Sequence, residues 1–389
     1  MRKRILIFSL AYFPQVGGAE VAVKEITDRI PDIEFHMVTL RFADEARTER
    51  VGNVVVHRVG VGSGYLSKVF YVPAAYVAAR RLHRIERFDA FWAIMSYMLF
   101  PIALLRLSGV RVPYVLTLQE GDPFEHVFDR LRIRPFRPLL AYGFRHASAV
   151  QAISRFLLAW SVRAGFPGQG QVIPNGVDVA AFSGALSTER RAELRSALGA
   201  KPDTVLLVTT SRLVKKNAVD DVIRALPLLP ERVQFVVYGI GKDEEMLRAL
   251  ARACGVERRV RFMGQISHAE LPAALQTCDI FIRPSRSEGM GNSFIEAMAA
   301  GLPVIATQEG GIADFLFDAV RNPDTESTGW AVDKDSPEQI ARAVETILSD
   351  PAAARATIAH AKELVVHGYG WDAVARGMSR LFTVVLGSA

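Results

Sequence analysis

Residues 284–307 read PSRSEGMGNSFIEAMAAGLPVIAT, with two glutamates, Glu288 and Glu296, eight positions apart and Gly289 and Gly291 between them. The apolar run just before, IFIRPS (280–285), reads as a strand that stops at Pro284. The spacing then predicts a glycine-bearing loop, a helix starting near Asn292 or Ser293, and a second apolar strand, PVIAT (303–307). Backbone N–H groups at a helix start have no intrahelical acceptor and favour an anion, and glycines let a phosphate approach the main chain. Ionised carboxylates accept from vicinal hydroxyls such as those of a ribose or sugar ring. Glu296 alone would fit a residue complementing the helix dipole. Glu288 lies in the loop, where capping gives it no task.

The same alternation runs outward in both directions. RILIFSL, FHMVTL, VVVHRV, AFWAIM, PYVLTL and AVQAIS read as strands in the first half, and TVLLVTT, VQFVVYG and VRFMG join IFIRPS and PVIAT in the second. Segments 18–30, 97–108, 154–164 and 187–198 have helical spacing. Near-continuous apolar strands alternating with helices imply parallel sheets covered on both faces. The 389 residues suffice for two such domains. The boundary is expected near VIPNGVDVAAFSG (172–184), where Pro174 ends a strand and Asn-Gly marks a turn. The expected domains are 1–180 and 181–370, with a helix at about 371–386 packing back on the first. In such sheets ligands bind at the carboxyl ends of strands, where the strand order reverses.

Half of the residues are hydrophobic and 23% charged, as in ordinary globular chains. The two cysteines, Cys254 and Cys278, form no disulfide framework or zinc spacing, so a reducing, cytoplasmic setting is expected. The start, MRKRILIFSLAYFP, lacks a small-residue cleavage site and reads as a buried first strand rather than a secretory signal. No apolar run has the length of a bilayer span. Residues 1–180 carry 23 Lys and Arg against 15 Asp and Glu, whereas residues 181–389 carry 24 against 26. The basic excess of the first half points to an anionic partner.

With these motifs in view, the chain resembles the family-4 retaining glycosyltransferases, two-domain GT-B enzymes that use nucleotide-sugar donors. The 284–307 stretch is similar to their E-x7-E signature. PQVGGAE (14–20) resembles the family's first glycine-rich loop, VIPNGVD (172–178) its linker, and TSRLVKKNAVDDVIRAL (210–226) its Arg…Lys segment. YGIGKDEEMLRAL and FMGQIS follow in the family's order. The resemblance implies two doubly wound Rossmann-like α/β domains facing a central cleft. It gives Glu296 the ribose hydroxyls and Glu288 those of the transferred sugar. Backbone groups of Gly289, Met290, Gly291 and Asn292 would face the sugar and distal phosphate, with Ser293 and Gly239 completing the donor-binding set. Arg212 and Lys216 would neutralise the diphosphate, a use that outweighs a solvated basic patch at a helix start, where cations oppose the dipole. Gly17 and Gly18 would approach the phosphates or acceptor, and Gly264 and Gln265 would border the base. No metal or other cofactor is expected, since the eight histidines show no ligand spacing. The implied reaction moves a sugar from a UDP- or GDP-linked donor to a glycan or lipid-linked acceptor, in cell-envelope polysaccharide or glycolipid synthesis.

Two positions depart from the family pattern. Where the family places a histidine after the fifth strand of its first domain, TLQEGDPFEH offers Gln119, Glu120 and Asp122 as groups that could orient the acceptor. The family's lysine lies five residues after its arginine, where this chain has Asn217, with Lys216 just before it. If the loop keeps the family's geometry, Asn217 stands where an ammonium would reach the distal phosphate, and Lys216 rather than Lys215 is expected to take over.

A further surface is FDRLRIRPFRPLLAYGFRHA (128–147), where Arg130, Arg132, Arg134, Arg137 and Arg145 alternate with apolar residues. Residues 65–88 add Arg80, Arg81, Arg84 and Arg87. The pattern fits either a solvated helix face or peripheral docking on anionic lipid at the inner face of the plasma membrane. Nucleic acid is not an expected partner, for no helix-turn-helix or aromatic-rich single-strand motif is present. A dinucleotide-dependent dehydrogenase is excluded by the absence of G-x-G-x-x-G after the first strand. A nucleotide-sugar epimerase of the same fold, or a binding protein without turnover, are the remaining alternatives.

Overall fold

The computed structural model describes residues 2–387. The chain divides into two compact units, one running up to Asn175 and resuming at Trp371, the other spanning Gly176–Gly370.

The first unit is built on β1 (Lys3–Phe8), β2 (Ile33–Leu40), β3 (Thr48–Val51), β4 (Val54–Val59), β5 (Ala90–Ile94), β6 (Tyr114–Leu118), β7 (Ala149–Ala152) and β8 (Gln171–Val172). Their order in the sheet is β3-β4-β2-β1-β5-β6-β7-β8. All neighbours are parallel except β3 and β4, which pair antiparallel. The central strands are buried on both faces, which is why they read as unbroken apolar runs. Strand β3, Thr-Glu-Arg-Val, is an exposed edge with no apolar run, and its Glu49 pairs with Arg58 of β4 at 2.5 Å. Nothing in its composition marks it as a strand. The helix Trp371–Gly387 buries one stripe, Trp371, Val374, Ala375, Met378, Leu381, Phe382 and Val385, at three- and four-residue spacing. Phe382 meets Phe35 and Trp92 at ring distances of 6.0 and 5.1 Å. Each such buried aromatic stabilises by roughly 1.5–3 kcal/mol, enough to fix this helix on the first sheet.

The second unit carries β9 (Val205–Thr210), β10 (Val233–Tyr238), β11 (Val260–Gly264), β12 (Ile280–Arg283), β13 (Val304–Ala306) and β14 (Trp330–Ala331), in the order β11-β10-β9-β12-β13-β14 and parallel throughout. β14 has two residues only, too few for any periodicity. The order reverses between β9 and β12, so the loops leaving these two strands are where a ligand site belongs. In the first unit the reversal lies between β1 and β5. Among the described residues no helix is long and apolar enough to cross a membrane.

Candidate functional site

The loop leaving β12 is held at every turn. Gly291, the residue before the helix Asn292–Ala299, has φ of 90°. A Cβ there would lie 2.5 Å from the Phe294 ring and 2.8 Å from Nη2 of Arg283, so only glycine fits. Gly311 N–H donates to the Glu288 carbonyl at 3.1 Å, and a Cβ on Gly310 would lie 1.9 Å from that oxygen. The Glu288 carboxylate accepts from Gly289 N–H at 3.1 Å through Oε1 and from Arg283 Nη2 at 2.6 Å through Oε2. Gly289 and Met290 are buried, while Asn292 and Ser293 are half-buried at the helix start.

Glu296 is buried on the same helix, with Oε1 at 3.5 Å from Nε2 of the exposed His268. Burial pushes the Arg283 pKa down from its ordinary value, Glu288 and Glu296 raise it, and Arg212 lowers it further. Arg212 follows β9 and Glu288 follows β12, the two strands that flank the switch point, and Glu296 lies on the helix after β12.

The loop leaving β9 presents Arg212 as an exposed side chain and then folds into a short 3-10 turn, Lys215–Asn217. Asn217 is buried, and its Nδ2 donates to the Arg212 carbonyl at 2.7 Å. Its amide braces the loop from inside. Lys216 precedes the helix Val219–Ala225 rather than opening it. Lys215 is exposed and Lys216 half-buried, and Arg286 ties both backbone carbonyls to the β12 loop at 2.7 Å. That arginine also bonds Asp220, Asp221 and Asp335 at 2.7–3.1 Å, so the two loops form one braced assembly.

Gly239, after β10, has φ of 136°, and its N–H donates to the Gly264 carbonyl at 2.7 Å. Gly264 itself has φ of 73°, and Gln265 beside it is exposed. Among the described residues no three His, Cys, Asp or Glu side chains gather to hold a metal ion.

Gly17, Gly18, Gln119, Glu120 and Asp122 belong to the first unit. Gly17 caps the helix Gly18–Asp28 after β1. Burial pushes the carboxyl pKa of Glu20 up, and the N–H groups of Glu20 and Gly17 that donate to it oppose this. Gln119 and Glu120 are buried at the end of β6, and Asp122 is exposed. Glu120 Oε1 accepts from both the N–H and the Oγ of Ser96 at 2.6 Å, while Oε2 has no hydrogen-bond partner. It thereby anchors the turn where Met95 adopts φ of 70°.

Burial raises the Glu120 pKa above the ordinary carboxyl range. A carboxyl raised on folding favours the folded state below its unfolded pKa, and that benefit is lost as pH rises through the folded value. Glu120→Gln keeps an acceptor for Ser96 without the charge. Its melting temperature relative to wild type is expected to be higher at pH 8 than at pH 4, because ionising the buried carboxyl costs more stability as the pH rises. Thermal unfolding across that range checks this, and equal melting at every pH would refute it.

The two basic segments of the first unit meet. Arg132 lies 4.9 Å over the ring of Tyr65, which opens the helix Tyr65–Glu86. On these two segments Leu66, Phe70, Leu131 and Phe136 are exposed by 67, 65, 81 and 53%. Arg130, Arg132, Arg134 and Arg137 are exposed on the second.

Three residues near these sites escaped the sequence reading: Arg283, His268 and Glu20. Only Arg283 left a signal, a cation inside an otherwise apolar strand.

Comparison with known proteins gives family matches in both units. Residues 16–181 match the family model "Glycosyltransferase Family 4", and residues 190–364 match "Glycosyl transferases group 1". A GDP-mannose-dependent alpha-(1-6)-phosphatidylinositol monomannoside mannosyltransferase of Mycobacterium tuberculosis is 35% identical over 232 residues, 57% of each protein. The chain thus spans a little over half the length of the first curated relatives it matches. Among solved structures, a sucrose-phosphate synthase from Thermosynechococcus elongatus superposes with a TM-score of 0.83 at 20% identity, covering 100% of both chains. HepE of Anabaena, in complex with UDP and glucose, gives 0.79 at 21% identity over 98% of this chain and all of that one. These likenesses identify the fold as GT-B.

Proposed function

Because the chain belongs to the group 1, family-4 glycosyltransferases, we propose that it transfers a sugar from a nucleoside-diphosphate donor to a glycan or lipid-linked acceptor with retention at the anomeric carbon. The observation that carries the reading is that Arg212 follows β9 while Glu288 and Glu296 follow β12, the two strands that flank the order reversal of the second unit, with Glu288 held by Arg283 at 2.6 Å. Glu296 takes the ribose hydroxyls and Glu288 the sugar hydroxyls, while Arg212 and Lys216 face the diphosphate. The bond from the anomeric carbon to the distal phosphate oxygen breaks, and its electron pair stays with that oxygen. The acceptor hydroxyl bonds the anomeric carbon on the same face and gives its proton to a phosphate oxygen of the leaving group. Cations and oriented N–H groups stabilise the charge that builds on the diphosphate.

The mycobacterial relative is named for GDP-mannose and a phosphatidylinositol mannoside, so GDP-mannose with an inositol glycolipid is the first pair to test. A panel of UDP- and GDP-sugars should give nucleoside diphosphate release that depends on the acceptor, and the product anomer by NMR should match the donor's. An inverted product would overturn retention.

The exposed apolar residues and arginines of these two segments of the first unit support peripheral docking on anionic lipid, in keeping with a lipid-linked acceptor in envelope synthesis. Basic residues near an anionic surface contribute about 1 kcal/mol each, falling off over a Debye length. Replacing Arg130, Arg132, Arg134 and Arg137 by Ser is expected to abolish co-sedimentation with anionic vesicles at low salt. Wild-type protein that ignores such vesicles would leave the two segments an ordinary surface.

A further inference from the structure

Arg283 closes strand β12 behind Ile280, Phe281 and Ile282, and only 6% of it is exposed. A guanidinium at such a depth is a poor source of stability, since desolvation offsets most of what its partners return. Its contacts all run to the loop and helix that follow the strand and to the strand beside it. Nη2 donates to Glu288 at 2.6 Å and Nη1 to Ser293 Oγ at 2.8 Å, with a longer contact of 3.4 Å to the Thr210 carbonyl. The charge lies 4.2 Å over the Phe294 ring. Nε has no hydrogen-bond partner, and neither have the buried hydroxyls of Thr209, Thr210, Ser211 and Ser285 at the same strand ends. A cation placed for stability alone would have its donors satisfied.

Glu288 needs a clamp of this kind. It sits between Ser287 and Gly289 in a loop with a second glycine at 291, and an unheld carboxylate there would sample several rotamers. We propose that Arg283 is the positioning residue of the donor site: its fork ties the Glu288 carboxylate to Ser293 on the first turn of the next helix, so that loop and helix present one fixed edge to the sugar. The proposal rests on the assignment of Glu288 to the sugar hydroxyls. A lysine cannot replace the fork, because a single ammonium lacks the planar pair of arms that reaches both partners at once.

Kinetics of Arg283→Lys, Glu288→Gln and the double variant test this, together with titration of free UDP and GDP and thermal unfolding. Arg283→Lys is expected to stay folded and to hold the free nucleoside diphosphate within threefold of wild type. Its kcat should fall by roughly 10²-fold, the scale of a misplaced reacting group. The double variant should be no slower than the slower single, since both act through one carboxylate. Should Arg283→Lys fail to fold, Ser293→Ala removes the other anchor without touching the buried charge. It should slow transfer on the wild-type background and not on that of Glu288→Gln. Wild-type kcat in Arg283→Lys, losses that multiply in the double variant, or parallel loss of nucleotide affinity and melting temperature would each overturn the positioning role. Unchanged kcat in Glu288→Gln would overturn the sugar-site assignment itself, and the proposal with it.

Discussion

Arg212→Ala is expected to lower kcat by roughly 10²–10³-fold, the usual cost of removing one group that stabilises developing negative charge. Arg212 is the exposed cation at the end of β9, and its carbonyl is fixed by the Asn217 amide at 2.7 Å. Removing its side chain leaves that brace in place, so the loop should keep its shape and the fold its melting temperature. Lys216→Ala should also cut transfer severely, by at most several kcal/mol of transition-state stabilisation, whereas Lys215→Ala should be mild. With the position-217 side chain turned inward, the neighbouring ammonium groups are the ones left to meet a phosphate. A flexible four-carbon stem makes the detour from position 216 feasible. Steady-state transfer rates of the three variants check the ranking. A severe Lys215 variant beside a mild Lys216 variant would move the role to Lys215, and two mild effects would leave Arg212 and the backbone to carry the charge.

Gly239→Ala should have the largest effect on stability. The residue has φ of 136°, and a Cβ would lie 1.8 Å from the Ser211 carbonyl oxygen, a backbone atom with no flexible stem to yield. The backbone conformation alone costs a non-glycine residue about 1–3 kcal/mol, and the overlap forces the β9 and β10 loops apart in addition. Urea unfolding should show a loss at the upper end of that range or beyond, with weaker nucleotide binding because Ser211 adjoins Arg212. A variant as stable as wild type would mean that the loops do not pack as described.

The central strands of both sheets were legible in the sequence because parallel strands covered on both faces must be apolar without interruption. β3 was not, since an exposed edge made of Thr48, Glu49, Arg50 and Val51 buries nothing that composition would reveal. The place of residues 284–307 in the fold was legible too: strand ends can be read, and the glutamates and glycines of this stretch lie just past one. The direction of side chains was not. Asn217 turns inward to the Arg212 carbonyl of its own loop, and Glu120 to Ser96, a partner brought in from elsewhere in its unit. Arg283 shows the same limit in reverse. A lone cation in an apolar strand has no periodic signature, and its meaning emerges only when Glu288 and Ser293 are seen at its two arms.

Everything proposed for the donor site depends on the strand reversal of the second unit holding a nucleoside diphosphate by its ribose. Calorimetric titration of free UDP and GDP into wild type and Glu296→Ala decides whether it does. Wild type should bind at least one of the two. Loss of charge-assisted hydrogen bonds to the ribose should cost the variant roughly 1.5–3 kcal/mol, a drop in affinity of about ten- to 150-fold at an unchanged melting temperature. Equal affinity in the two proteins, or a wild type that binds neither nucleotide, would contradict it.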